Sequence, residues 1–153
     1  MPGFEELLHP SGVRILAGES GRIYRNVGEV WIDTPARTGI DSNLWGVLKA
    51  SADALRLILH VSSIDTGRHS RTSRHYVGLA ADVWRVGPAG KAPPVVTADD
   101  PVCERLAWWL WNKGMCHYEN GPWPAVLYGP PRSAYNKTSS DHSDHLHLSL
   151  PRR

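Results

Sequence analysis

The strongest constraint on this chain is a carboxylate set inside an apolar strand. Ala80-Ala81-Asp82-Val83-Trp84 has the composition of a strand, where successive side chains point to opposite faces. Ala80, Asp82 and Trp84 then share one face, and Ala81 and Val83 the other. Burying a carboxylate there is costly unless something compensates it, and a cation is the direct means. Just upstream, the polar loop 68–74 leads into His75, and Gly78 permits a tight backbone path before the strand. The bland alternative for this stretch is a capped turn followed by an edge-strand aspartate.

A second segment supplies what the first lacks. In Asp141-His142-Ser143-Asp144-His145-Leu146-His147-Leu148, strand alternation puts His145 and His147 on one face. Two adjacent imidazoles are poor core material and good metal chemistry. Imidazole nitrogen with carboxylate oxygen suits zinc, and a catalytic zinc has three protein ligands and an open water position. A His-rich surface tail is the competing reading, but these histidines fall in a β-patterned run.

Composition narrows the class. A chain of 153 residues has the length of one domain, 1–153, and can bury a core without a metal or disulfide. Seventeen Lys plus Arg against 15 Asp plus Glu gives +2, which excludes a strongly basic nucleic-acid binder. The 14 Gly and 12 Pro call for long shaped loops. Cys103 and Cys116 are too few for a disulfide framework or a four-thiolate zinc site. The longest apolar run, 106–111, is far too short to cross a membrane. No basic-then-apolar stretch opens the chain, so no signal peptide is expected and synthesis in the cytoplasm is.

Element signals mix helices and strands without a βαβ rhythm. Residues 13–17 and 22–32 predict a hairpin. Asp41 or Ser42 caps a helix carrying Leu44, Val47, Leu48 and Leu55. Residues 57–64 and 80–86 predict strands, and 87–100 a surface loop. Asp99 or Asp100 caps a second helix, with Pro101 in its first turn and Gly114 at its end. Residues 125–128 and 144–150 predict two further strands joined by a Pro/Gly/Ser-rich loop. The expected class is α+β, a small mostly antiparallel sheet with two main helices.

Over about residues 55–150 the chain resembles the zinc peptidases of the hedgehog/D-alanyl-D-alanine peptidase fold, which include D-Ala-D-Ala carboxypeptidases and phage L-alanyl-D-glutamate endolysins. The resemblance rests on Ser73, His75, Gly78, Ala80 and Asp82, then His145-Leu146-His147 and the pair Asp144 and His147. It implies one zinc per chain, held by His75, Asp82 and His147, with His145 facing the metal as a donor to the developing oxyanion. It also implies a general base, which is either Asp144 or His142; Asp144 is slightly favoured. In a regular strand neither shares a face with His147, so whichever acts belongs to a turn entering the strand. The expected activity is hydrolysis of peptide bonds in peptidoglycan stem peptides by a monomeric carboxypeptidase or endopeptidase, with no nucleic-acid partner and no membrane insertion. A phage-type endolysin reaching the cell wall by non-classical release fits the lack of a signal peptide. The rival is a non-catalytic module of the same fold, braced by zinc.

Other residues draw blander readings. His69 reads as a solvated loop histidine. Arg68, Arg71 and Arg74 lie beside the metal motif, and an arginine fork suits a substrate carboxylate, but none is singled out. Trp108, Trp109 and Trp111 read chiefly as helix packing, Trp123 and Tyr128 as core, and Cys103 and Cys116 as buried thiols.

Overall fold

A computed structural model describes residues 14–64, 78–97, 100–112, 126–127, 136–137 and 145–150. In chain order these form β1 (Arg14–Ile15), β2 (Gly21–Arg25), β3 (Glu29–Ile32), β4 (Ile40–Asp41), α1 (Ser42–Leu55), β5 (Leu57–Ser63), β6 (Ala80–Pro88), α2 (Pro101–Asn112), β7 (Val126–Leu127), β8 (Asn136–Lys137) and β9 (Leu146–Ser149). The class is α+β. One sheet has the order β2-β3-β5-β6-β9-β7-β8, and β1 pairs separately with β4. In the large sheet β3–β5 and β7–β8 are parallel and the other four pairings antiparallel.

The helices form where capping chemistry and apolar spacing coincide. Asp41 accepts from the Asn43 amide at 2.9 Å and caps α1. Asp100 does the same for α2, taking the Val102 and Cys103 amides at 2.9 and 3.1 Å. Each cap satisfies amides that the first turn leaves without a helical partner. Leu44, Val47, Leu48 and Ala52 of α1 and Cys103, Leu106, Ala107 and Leu110 of α2 are buried. They pack in one core with Val30, Ile32, Leu59, Val61, Ala81, Val83, Leu146 and Leu148. Both helices therefore cover the same face of the sheet. By strand parity the opposite face carries Trp31, His60, Asp82 and His147.

The expected hairpin between 13–17 and 22–32 is not formed. The chain turns within the second run instead, so that β2 and β3 pair with each other, Arg25 opposite Glu29, while β1 goes to β4. Gly28 explains the turn: an added Cβ would come within 2.3 Å of the Ala52 backbone. Only glycine lets this corner settle on α1. There the Asp53 carboxylate accepts from the Gly28 amide at 2.8 Å and from the Tyr24 hydroxyl. The strand β8 also lies inside what sequence reads as a loop. Among the described residues no helix is long and apolar enough to cross a membrane.

Candidate functional site

The site is built on the β6–β9 ladder. Ala80 pairs with Ser149, Ala81 with Leu148, Asp82 with His147 and Val83 with Leu146. The Leu150 amide extends the ladder to the Leu79 carbonyl at 2.8 Å. Gly78, immediately before, has φ of 72°, a left-handed conformation that a side chain disfavours. Its carbonyl accepts from the Asp41 amide at 3.0 Å, so the residue capping α1 also pins the entry to β6.

This register places Asp82 directly opposite His147. Leu146 and Leu148 point into the core, so His147 points the other way, as Asp82 does between Ala81 and Val83. Their side chains meet, with His147 Nδ1 3.1 Å from Asp82 Oδ1. His145 approaches the same oxygen, its Nε2 at 3.8 Å. All three are shielded: His147 is 3% exposed, and the Asp82 and His145 side chains are 13% and 19% exposed. Strand alternation puts His145 and His147 on one face; that Asp82 stands opposite them follows from the pairing of β6 with β9.

The pair suits a metal as well as a hydrogen bond. Two ligands on one tetrahedral zinc, each bonded at about 2.0–2.2 Å, lie roughly 3.3 Å apart, close to the observed 3.1 Å. A carboxylate oxygen and an imidazole nitrogen are also the right donor types. Among the described residues no group of three His, Cys, Asp or Glu side chains is assembled to hold a metal. The third expected ligand, His75, and both candidate bases, Asp144 and His142, lie outside the described residues. So do His69, the three nearby arginines, Trp123, Tyr128 and Cys116.

Two irregularities between β5 and β6 shape the ground beside the pair. His60 pairs with Arg85 and Val61 with Val83, leaving Trp84 as an extra residue on β6; Val61/Val83 is followed by Ser63/Asp82, leaving Ser62 extra on β5. Such bulges re-aim side chains and increase local twist. Here Ser62 Oγ donates to the Asp82 carbonyl at 3.3 Å, and the Trp84 indole donates to Asp33. Asp33 also faces His60 Nδ1 at 3.1 and 3.2 Å, and Trp31 stacks on His60 at 5.0 Å.

Sequence reading did not single out this second array. Its signal was present: His60 interrupts the apolar run Leu57–Ile64 much as Asp82 interrupts its own. Asp33, in the bend that follows β3, gave no such sign.

On α2, Trp109 packs against the core and Trp108 is 51% exposed. Burial pushes the Cys103 thiol well above its ordinary range, as expected of an inert packing thiol.

No family model, curated protein or solved structure matches the chain.

Proposed function

We propose that this protein is a zinc-dependent peptidase of the hedgehog/D-alanyl-D-alanine peptidase type, cleaving peptide bonds in the stem peptides of bacterial peptidoglycan. The reading rests above all on Asp82 facing His147 across β6 and β9, with His145 beside them. A shielded carboxylate with two imidazoles at hand is expensive to desolvate, and a dication would offset that cost further than their hydrogen bond does.

In this reading Asp82, His147 and His75 would hold the metal. Bound zinc would lower the pKa of its water towards neutrality and polarise the scissile carbonyl. His145 donates a hydrogen bond to the oxyanion that develops on that carbonyl. Asp144 or His142 would take a proton from the attacking water and return it to the leaving amine, a contribution of about 10²–10⁴-fold. The enzyme would act as a monomer with one zinc, at the cell wall.

Digestion of purified peptidoglycan with and without a chelator tests the proposal. Release of peptide fragments that stops on chelation is expected. Zinc binding with no release under any condition would favour the zinc-braced binding module instead.

A further inference from the structure

We infer that His60 is a substrate-binding residue of a second subsite, where its Nε2 accepts a hydrogen bond from a backbone N–H of an extended peptide. The inference rests on the peptidase reading for the identity of that peptide, and on independent geometry for the site.

The geometry determines which nitrogen of His60 carries the proton. Asp33 is an acceptor when ionised, and the indole Nε1 of Trp84 can only donate, so the Trp84 contact occupies Asp33 as an acceptor. His60 Nδ1 faces the same carboxylate at 3.1 and 3.2 Å, and a lone pair there would oppose the carboxylate's own. Nδ1 therefore bears hydrogen, and in the neutral ring Nε2 is the acceptor. Nε2 makes no hydrogen bond among the described residues.

The ring is also clamped in its plane. Trp31 stacks on it at 5.0 Å with 9° between planes, and the Trp31 indole is itself anchored to Glu29 at 3.2 Å. On the far side of Asp33, the Arg85 guanidinium covers Trp84 at 4.3 Å and donates to the Pro93 carbonyl at 3.1 Å. A row across three strands thus holds one acceptor in one tautomer and one direction.

Position links the row to the site. His60 and Asp82 lie on the same sheet face, and His60 pairs with Arg85, three residues along β6 from Asp82. At about 3.3 Å per strand residue this separates them by roughly 10 Å. An extended peptide covers that distance in about three residues. The consequence is a preference for substrates reaching at least three residues from the scissile bond, over dipeptides.

The test compares wild type with His60→Phe, which keeps the stack on Trp31 but has no acceptor, and His60→Gln, which restores one. Binding of a synthetic stem pentapeptide is followed by calorimetry and by the imidazole ¹⁵N resonances of His60, with hydrolysis of the pentapeptide and of D-Ala-D-Ala measured in parallel. Circular dichroism confirms that the variants fold. The expected results are an Nδ1–H tautomer, an Nε2 resonance that moves on peptide addition, and binding about tenfold weaker in His60→Phe with partial recovery in His60→Gln. Where hydrolysis occurs, KM for the pentapeptide should rise by the same factor with kcat and dipeptide cleavage unchanged. An Nε2–H tautomer, an unmoved resonance or equal binding by His60→Phe would overturn the inference. Peptide binding through His60 with no hydrolysis by wild type would instead overturn the peptidase reading alone.

Discussion

Asp82 and His147 are separated by 65 positions in the chain yet face each other as a register pair, Oδ1 to Nδ1 at 3.1 Å. Strand pairing makes this relationship brittle. A slip of one residue between β6 and β9 would turn one of the two side chains into the core and bring an alanine, valine or leucine in its place. The flanking pairs Ala81–Leu148 and Val83–Leu146, buried beneath the helices, resist such a slip because it would expose them.

Metal affinity should depend on both partners. Asp82→Asn and His147→Ala are each expected to weaken zinc binding by more than the roughly 10–100-fold typical of losing a hydrogen-bonded support of a ligand. Competition against a chromophoric chelator gives the affinity. Unchanged stoichiometric zinc in either variant would remove that residue from the ligand set.

His145→Ala should separate binding from turnover. Its Nε2 lies farther from Asp82 than the Nδ1 of His147 does, as the proposed role of a donor beside the metal requires. Zinc content should be retained while turnover falls about 10²–10³-fold, the usual cost of one oxyanion donor. Near-normal turnover would exclude His145 from the mechanism.

For the general base, Asp144→Asn should be the more damaged enzyme and His142→Gln the less. A carboxylate beside a dication keeps its charge favourably, whereas an imidazole taking a proton there becomes a cation next to the metal. Turnover of both variants, at equal zinc content, decides the matter; the reverse order would assign the base to His142.

The protein should remain folded without zinc. Its core joins both helices to β3, β5, β6 and β9 without calling on the proposed metal site, in contrast to a zinc finger, which is unfolded without metal. Far-ultraviolet circular dichroism should survive chelation with most of its amplitude. Collapse of the signal would show that the metal is structural.

Alkaline stability should report on Tyr24. Burial, and next the hydrogen bond to Asp53, raise its phenol above the ordinary value of 10.0. The folded state therefore holds this proton more tightly than the unfolded chain, so its contribution is complete below the ordinary phenol range and is lost as pH rises through the raised value. Urea midpoints at about pH 8 and about pH 11 should fall more steeply for wild type than for Tyr24→Phe. An equal fall in the two would deny Tyr24 this role.

Much of the local structure was legible in the chain. Asp41 or Ser42, and Asp99 or Asp100, announced the two helix starts because a short acceptor side chain before an apolar-periodic run has few better uses, and the structure chose Asp41 and Asp100. Alternation alone put Asp82 away from Val83 and His147 away from Leu146, since side-chain direction in a strand depends only on parity. The pairing of β6 with β9, the return of β1 to β4, and the row from Trp31 through His60 and Asp33 to Trp84 were decided by tertiary structure. Neighbouring strands are chosen by how two helices can bury a single face of the sheet, and bulges at Ser62 and Trp84 arise from fitting strands together. Those are long-range packing terms, which no short window of sequence contains.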